Sequence, residues 1–315
     1  TVQVRRMEVP VDRIECDVLV IGGASTALVA ALEARKWVED VVMVCKRKPG
    51  RSGNTVVSGP AFSAFVPSPE NPDSAEQHLE DTLKGGMGIN DPLLARMLTE
   101  AGGQAVLALE QYGVTLLRSN GSLVRRTPPG HSRPRSIPTD LREYAHATRG
   151  LSITVPLAQS AKERGIRMMT ETPVRRLLVR DGVACGALAV DAASGRQIAI
   201  SAKAVVLAAG GGGHLFAQTN NTLDMTGDSY ALALEAGAAL RDMEFIQFYP
   251  TRAIFPTHTN ISSPLFGEGA VLRNRLGERF MPRYDPKADM ATLDVASRAI
   301  FAEVQAGRGV DGGAY

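Results

Sequence analysis

A short apolar segment that ends in paired glycines constrains the fold of this 315-residue chain more than any other feature. Residues 16–21 favour a buried strand and run into Gly22-Gly23, after which the alanine-rich stretch 25–36 predicts a helix. A strand, glycine turn and helix in this order bring the N–H groups of a helix N-terminus toward a dinucleotide diphosphate. Because alanines stand at the second and third glycine positions (Ala24 and Ala27), an ordinary β–α unit explains the motif equally well.

The end of the second predicted strand, 41–45, lacks the carboxylate of a simple NAD site. In such a site an acidic residue follows the glycines by roughly 20 residues and binds the ribose hydroxyls. Here Cys45 occupies that position, and Lys46 and Arg47 follow it. The missing carboxylate counts against NAD, whereas the two cations fit a loop that runs along phosphates or adenine.

A second apolar strand, 204–209, also ends in glycines, Gly210 to Gly213. Strands near 166–170, 174–180, 183–191 and 197–201 form a predicted β-meander before it, with hairpin turns at Asp181-Gly182 and Ser194-Gly195. Thr226-Gly227-Asp228 then opens a predicted helix to about Ala236. Two glycine-ended strands far apart in sequence favour a single dinucleotide that both strands hold over a simple NAD site. We therefore expect Gly22 and Gly210 to converge in space.

The loop from Arg51 to Gly59 is dense in small residues and hydroxyls. Two readings stay open for it. It is a flexible surface loop, or its backbone wraps closely around a flat ring and a diphosphate, an approach that needs glycines and hydroxyl donors.

Charge and composition exclude several classes of protein. The formal net charge of +2 gives no basis for binding nucleic acid or an anionic membrane. No apolar run reaches the roughly 20 residues of a membrane-spanning helix, so no transmembrane segment is predicted. Three scattered cysteines predict neither a disulfide framework nor an Fe–S or other metal site. Because residues 1–6 also lack the apolar core of a secretory signal, we expect a cytoplasmic protein.

An ordered series of motifs resembles the succinate dehydrogenase/fumarate reductase flavoprotein family, which also includes L-aspartate oxidase. The resemblance covers nearly the whole chain from residue 14 onward, and the ordered set is far more specific than any one motif. The motifs are Val20-Ile21-Gly22-Gly23, Lys46 with Arg51 to Thr55, Glu80 to Gly86, Leu207 to Gly211, Thr226-Gly227-Asp228, Glu244 to Thr251 and Gly277 to Phe280.

The resemblance implies an α/β fold, with a Rossmann-like FAD-binding domain of the GR2 type that carries a β-meander insert, followed by the start of a capping α+β domain. We expect the FAD-binding domain over 1–244, with a helical and loop insert at about 70–150, and an incomplete capping domain over 245–315. In this family the flavin lies between the two domains and exchanges hydride with a small carboxylate.

The resemblance also implies which residues bind FAD. The diphosphate would be held by Gly22, Gly23, Ala24, Ser25 and Thr26, and the adenosine would lie near Lys46, Arg47, Val174, Ala208, Ala209 and Gly210. The ribitol and flavin would be bordered by Ser52, Gly53, Asn54, Thr55, Ser58, Gly59 and Asp228. Because the loop that carries the covalent histidine of respiratory members here reads Gly53-Asn54, we expect FAD to be bound non-covalently.

The substrate side departs from the family. Tyr249 stands in place of a histidine that binds substrate carboxylate, and Leu293 stands in place of the proton-donating arginine. A leucine can neither donate a proton nor pair with a carboxylate, which disfavours succinate or fumarate as substrate. The remaining candidates for polar groups that face the substrate are Tyr249, Arg252 and His258.

These features predict an FAD-dependent oxidoreductase that passes hydride between flavin N5 and a small, anionic substrate. Two alternatives stay open: a flavoprotein that relays electrons to an Fe–S partner subunit, and a remnant without catalysis of its own. The chain ends at Tyr315, inside the region that corresponds to the family's capping domain. A fragment, a split subunit completed by a partner, and a shortened variant all fit that end.

Two further groups of residues have more than one reading. The basic residues around the predicted loop 125–139 mark either a solvated loop or an anion site, and they are His131, Arg133, Arg135, His146 and Arg149. The stripe formed by Leu94, Met97 and Leu98 has helical spacing, which predicts core packing.

Overall fold

The computed structural model describes residues 11–144, 148–253, 260–261, 264–267 and 269–310. The helices are α1 Ser25–Ala34, α2 Ala75–Gly85, α3 Pro92–Ala108, α4 Leu151–Glu163, α5 Asp228–Glu235, α6 Pro264–Gly267 and α7 Leu293–Gln305. The strands are β1 Val11–Ile21, β2 Val41–Val44, β3 Ala61–Ser63, β4 Arg118–Ser119, β5 Ser122–Leu123, β6 Ser136–Pro138, β7 Arg167–Met169, β8 Val174–Arg180, β9 Val183–Val190 and β10 Gln197–Leu207. Within these described ranges no helix is long and apolar enough to cross a membrane.

Contacts divide the chain into two compact units. The first comprises Thr1–Pro60, Glu110–Thr115 and Thr139–Asp242, and the second comprises Ala61–Leu109, Leu116–Pro138 and Met243–Tyr315. The sequence-based domain boundary after residue 244 stays a prediction.

A six-stranded sheet in the order β7-β2-β1-β10-β9-β8 forms the centre of the first unit. The first four of these strands run parallel, whereas β9 pairs antiparallel with both β10 and β8. The buried positions are apolar, with Leu19, Val20 and all of Val41–Val44 at most 1% exposed. Helix α1 buries Ala27, Leu28, Ala31 and Leu32, the positions of one helical face. The predicted α/β fold is therefore confirmed.

Strand β10 corrects one sequence-based expectation. The pattern predicts two strands, 197–201 and 204–209, but Gln197–Leu207 is one continuous strand. It pairs with β9 over its first half and with β1 along its whole length. Lys203 does not interrupt the strand, because its side chain is exposed and its ammonium lies 2.6 Å from the carboxylate of Asp17. The last strand of the meander and the second glycine-ended strand are thus one element.

The hairpin between β8 and β9 turns where the sequence predicts. Asp181 and Gly182 both have positive φ angles, 52° and 77°. Two consecutive positive φ values are typical of the type I′ turn, whose twist matches the flanking strands. This turn folds the meander back toward β10.

Helix α3 in the second unit differs from its sequence-based description. It begins at Pro92 with Asp91 as N-cap, as predicted, and it buries the small face formed by Ala95, Thr99, Gly103 and Val106. A Cβ on Gly103 would lie 2.0 Å from the carbonyl oxygen of Phe65, so the backbones approach closely there. The stripe of Leu94, Met97 and Leu98 is more than half exposed. The prediction of core packing for that stripe is therefore wrong for the described structure, because small residues make the close contact.

Arg135, for which the sequence suggests a solvated loop or an anion site, is a buried structural cation. Its side chain is 0% exposed, and its Nε and Nη2 donate to both oxygens of Asp73 at 2.7 and 2.6 Å. Nη1 donates to Asp81 as well. Residues 136–138 of the predicted loop form β6, which pairs with β3. Both interpretations of Arg135 are thus wrong, because two carboxylates already satisfy its guanidinium.

The other members of that basic group are divided. Arg133 is exposed, as a solvated loop residue would be, and Arg149 is exposed as well. The ring centroids of His131 and His78 lie 5.8 Å apart. His146 lies outside the described residues.

Candidate cofactor site

A cleft of about 350 Å³ lies at the carboxyl ends of β1, β2 and β10, within the first unit. The carboxyl edge of a parallel sheet is the usual place for a nucleotide ligand in α/β folds. Most residues implied to bind the cofactor line this cleft. They are Gly22, Gly23, Ala24, Thr26, Lys46, Arg47, Ser52, Gly53, Asn54, Thr55, Val174, Ala208, Ala209, Gly210 and Asp228.

Three residues of the same set do not line the cleft. The Ser25 hydroxyl lies 2.8 Å from that of Thr55, which does line it. Ser58 and Gly59 are exposed, and the Ser58 hydroxyl donates to backbone oxygens of its own loop. Their assignment to the cofactor stays a prediction.

The two glycine-ended strands meet side by side, as expected. Ile21 and Leu207 are register partners in the parallel β1–β10 ladder. Beyond them the Ala208 N–H donates to the Ile21 carbonyl at 2.8 Å. A Cβ on Gly22 would lie 2.2 Å from the Ala208 carbonyl oxygen, so only glycine fits there. This close approach joins the two halves of the cleft.

The N-terminus of α1 points an uncapped helix end into the cleft. Ala24 is the N-cap residue, and its methyl side chain makes no capping hydrogen bond to the first turn. The first N–H groups of a helix have no partner within the helix and carry a partial positive charge. This geometry suits an anion such as a diphosphate.

Cys45, which also lines the cleft, is a structural thiol. Its Sγ donates to the Gly22 carbonyl at 3.1 Å, and the residue is 1% exposed. Burial raises its pKa to about 12, so the thiol stays protonated at neutral pH. A neutral hydrogen-bond donor therefore occupies the position of the NAD-site carboxylate.

Lys46 makes a polar bridge between the two sequence-distant walls of the cleft. Its ammonium donates to the Thr226 hydroxyl at 2.6 Å and forms an ion pair with Asp228. Lys46 follows β2, whereas Asp228 begins α5. Lys46, which the resemblance places near the adenosine, and Asp228, which it places near the flavin, are thus neighbours.

Asn54 makes a second bridge between the same walls. It begins a short 3₁₀ turn after Gly53, whose φ is 80° and whose Cβ position would lie 2.8 Å from the Ala24 side chain. The Asn54 amide donates to Asn221 Oδ1. The side-chain carbonyl oxygen of Asn54 accepts the Thr222 N–H at 3.1 Å. Sequence reasoning misses Asn221, because an amide pair 167 residues apart leaves no periodic signature.

The structure also adds apolar lining that the sequence does not single out. Met225 packs against the end of β10, where a Cβ on Gly210 would lie 2.8 Å from its methyl carbon. Pro173 and Leu232 are further apolar lining residues, and Ser229 is a polar one. The glycines after β10 mark the region, but a contact made by a single side chain such as Met225 cannot be assigned without the fold.

The implied substrate-side residues lie in the second unit. The Tyr249 hydroxyl donates to the Ile261 carbonyl at 2.7 Å, and Arg252 forms a β-bridge with Asn260. His258 lies outside the described residues. Leu293 is the first residue of α7, and Arg298 on the next turn pairs with Asp294 at 2.8 Å. Catalytic roles for Tyr249, Arg252 and His258 stay predictions.

Comparison with known proteins agrees with this geometry. The family model described as the FAD binding domain matches residues 17–315. One of the subunits of the fumarate reductase (CoM/CoB) of Methanothermobacter marburgensis is 36% identical over 96% of this chain and 55% of its own length. L-aspartate oxidase from Neisseria meningitidis serogroup B is 32% identical over 92% of this chain and 57% of its own length.

A solved structure shares the fold. A mutant quinol fumarate reductase of E. coli superposes with a TM-score of 0.83 at 25% identity, over 95% of this chain and 52% of that one. The chain thus spans about half the length of the relatives that it matches. The uncapped helix end, the glycine contact and the paired strands all suit FAD, the cofactor of this family. The chain belongs to the succinate dehydrogenase/fumarate reductase flavoprotein family and carries its FAD-binding domain.

Proposed function

We propose that the protein is an FAD-dependent oxidoreductase that binds FAD non-covalently and transfers hydride between the flavin and a small carboxylate. Bound FAD supplies the redox chemistry, and the protein supplies binding, orientation and electrostatics. The observation that carries the proposal is the cleft where β1 and β10 meet, because it joins an uncapped helix N-terminus to the second glycine-ended strand.

Non-covalent binding is supported by the Gly53-Asn54 pair, which stands where the family's loop carries the covalent histidine. Asn54 has no nucleophilic nitrogen, since its amide lone pair is delocalised. Its side chain is also engaged with Asn221 and Thr222. Gly53 has no side chain, so neither residue at this place offers a nitrogen that could bond covalently to the flavin.

The substrate is proposed to be a small carboxylate other than fumarate or succinate. Leu293 begins α7 where the family has its proton donor, and its hydrocarbon side chain cannot supply a proton. Arg298 already pairs with Asp294 one turn along the helix, at 2.8 Å. Tyr249 directs its hydroxyl proton to the Ile261 carbonyl rather than offering an imidazole.

Fumarate reduction by the purified holoprotein with reduced viologen tests the substrate assignment. We expect turnover well below about 1 s⁻¹, the lower end of ordinary enzyme rates. Turnover at or above that value would show that Leu293 does not remove the activity. An anaerobic panel of small carboxylic acids then provides the positive test, in which a substrate bleaches the flavin absorbance.

A second candidate function is electron relay to a partner protein. The Methanothermobacter marburgensis relative is one subunit of a fumarate reductase, and in our proposal Leu293 of this chain replaces the family's proton donor. If the protein is an electron relay, no carboxylate in the panel would bleach its flavin absorbance. An Fe–S partner protein would instead reduce or oxidise the flavin. The panel therefore separates the two functions.

A further inference from the structure

We propose that α3 carries an interface at which two copies of this chain pair, with their α3 helices antiparallel. The interface is the outer face of the helix, which is formed by Leu94, Met97, Leu98, Ala101, Ala105 and Ala108. The whole face lies in the second unit, and the inference does not depend on the proposed function.

The outer face lies on the side of α3 away from the residues that the helix buries. Those buried residues are Ala95, Thr99, Gly103 and Val106. The six residues of the outer face recur at helical intervals of three and four, and all six are exposed. The helix is thus apolar on two sides. Because a helix that is apolar all round is normally buried, the exposed side calls for a packing partner.

Large apolar side chains are grouped at one end of the outer face. Leu94, Met97 and Leu98 are 54%, 66% and 61% exposed, and Leu93 beside them is 75% exposed. Single exposed apolar side chains are ordinary, whereas a group of them with a polar rim is typical of a protein–protein contact. The outer face has the character of such a contact.

The charges beside the outer face do not select a strongly charged partner. The Arg96 guanidinium lies 3.3 Å from the Glu100 carboxylate and 3.2 Å from that of Glu76. Both signs of charge are therefore mixed at the rim, and they are already paired within the chain. A partner surface as apolar as the outer face itself fits better.

The distribution of side-chain size along the outer face selects a second copy of this chain. Large residues occupy its N-terminal half and small residues its C-terminal half, in the order Leu94, Met97, Leu98, then Ala101, Ala105, Ala108. An antiparallel pair with a two-fold axis at the level of Thr99 places Met97 of each copy against Ala101 of the other. Large side chains then fill the space above small ones, as close packing requires.

A parallel pair lacks this fit. It would set the large residues of both copies against one another and would leave alanine facing alanine at the other end, with space between them. The antiparallel contact is also self-complementary, because each residue pair occurs twice across the two-fold axis. An interface of this kind closes as a dimer and does not extend into a filament.

Disulfide crosslinking tests the orientation of the two helices. Met97→Cys and Ala101→Cys chains are purified separately, one of them with a size tag, then mixed and mildly oxidised. We expect about ten-fold more of the mixed crosslinked dimer than of either self-linked dimer, because a disulfide needs Cα atoms within about 7 Å. The wild-type chain gives the background from its three native cysteines, two of which are buried.

Sedimentation at several protein concentrations tests the interface itself. We expect the wild-type chain to have the mass of two chains, and Leu98→Glu to raise the dissociation constant of the dimer at least about ten-fold, because two unpaired charges enter an apolar contact. Trp37→Glu is the matched control, since that side chain is 86% exposed in the first unit, and it should leave the dimer intact. Thermal unfolding of both variants shows whether they are folded.

Three results would overturn the proposal. A wild-type chain that stays monomeric at about 100 μM would assign the outer face to a different polypeptide. Self-linked dimers of each cysteine variant, in place of the mixed one, would show a parallel pair. Equal weakening by Leu98→Glu and Trp37→Glu would place the contact elsewhere. None of these results bears on FAD binding, so they are distinguishable from a failure of the proposed function.

Discussion

The carbonyl oxygen of Ala208 lies 2.2 Å from the place where a side chain on Gly22 would begin. The two residues follow adjacent parallel strands, and the Ala208 N–H donates to the neighbouring Ile21 carbonyl at 2.8 Å. The contact requires a residue without Cβ at position 22, whose φ of 136° is also a conformation that L side chains rarely adopt. Both residues line the cleft, so this backbone contact forms part of its wall.

Gly22→Ala should destabilise the protein and abolish FAD binding. The added methyl group would overlap backbone atoms of Ala208, which cannot move aside by a change of side-chain rotamer. Overpacking of this kind costs about 1–3 kcal/mol, and a side chain in this sparsely populated backbone conformation adds about 1–3 kcal/mol. Thermal unfolding and the ratio of FAD to protein measure the two effects. Gly85→Ala is the matched control, because its Cβ would meet nothing within 4 Å. Equal stability of the two variants would contradict this account.

Leu293→Arg should raise fumarate reduction. The substitution places a cationic side chain at the position that the resemblance assigns to the family's proton donor, and general acid catalysis contributes about 10²–10⁴-fold. Because Tyr249 remains, we expect a smaller gain, of about ten-fold, in kcat with reduced viologen as the electron donor. Leu293→Gln is the control for size and polarity. A gain no larger than that of the glutamine variant would show that other residues limit the reaction.

Arg135→Met should be strongly destabilising. It removes the cation from a fully buried pair with Asp73 and leaves that carboxylate without its partner. Breaking a buried ion pair in this way costs about 3–5 kcal/mol. Denaturant unfolding measures the change. Arg133→Met, two residues away on an exposed side chain, should change the stability by less than about 0.5 kcal/mol. A small effect for Arg135→Met would mean that the buried cluster is not a net structural element.

Acid should destabilise the second unit through His78 and His131. The pKa of both imidazoles is lowered from 6.5, mainly because of burial and then because of the nearby Arg135 cation. Between the lowered folded-state pKa and 6.5 the unfolded state therefore binds more protons than the folded state, so stability falls as pH falls through this window. Thermal unfolding across that range measures the slope.

His78→Leu provides the control for this pH dependence. The Nδ1 atom of His78 is buried without a partner among the described residues, so leucine removes a titrating group and no hydrogen bond of that atom. The slope with pH should flatten in this variant. An unchanged slope would assign the acid sensitivity to other groups.

Much of the fold is predictable from the sequence where local pattern and tertiary structure agree. The run 16–21, the glycines after it and the Asp181-Gly182 turn are interpretable, because each needs only neighbouring residues to show its role. The close approach of Gly22 and Ala208 follows from pairing two glycine-ended strands.

Other features depend on contacts that no local pattern carries. Arg135 resembles a loop cation in the sequence, because its partners Asp73 and Asp81 lie 62 and 54 residues away. The prediction for the stripe on α3 is wrong because helical periodicity marks an apolar face but does not say which face finds a neighbour. Asn221 escapes detection, because an asparagine in a polar loop is ordinary until its partner is known.

The central claim is that this chain binds one FAD, non-covalently, where β1 and β10 meet. The direct test is the visible absorbance spectrum of the purified protein, before and after acid precipitation. We predict a flavin spectrum with about one FAD per chain, all of it released into the acid supernatant. A colourless protein that takes up no added FAD, or flavin that stays with the precipitate, would contradict the claim.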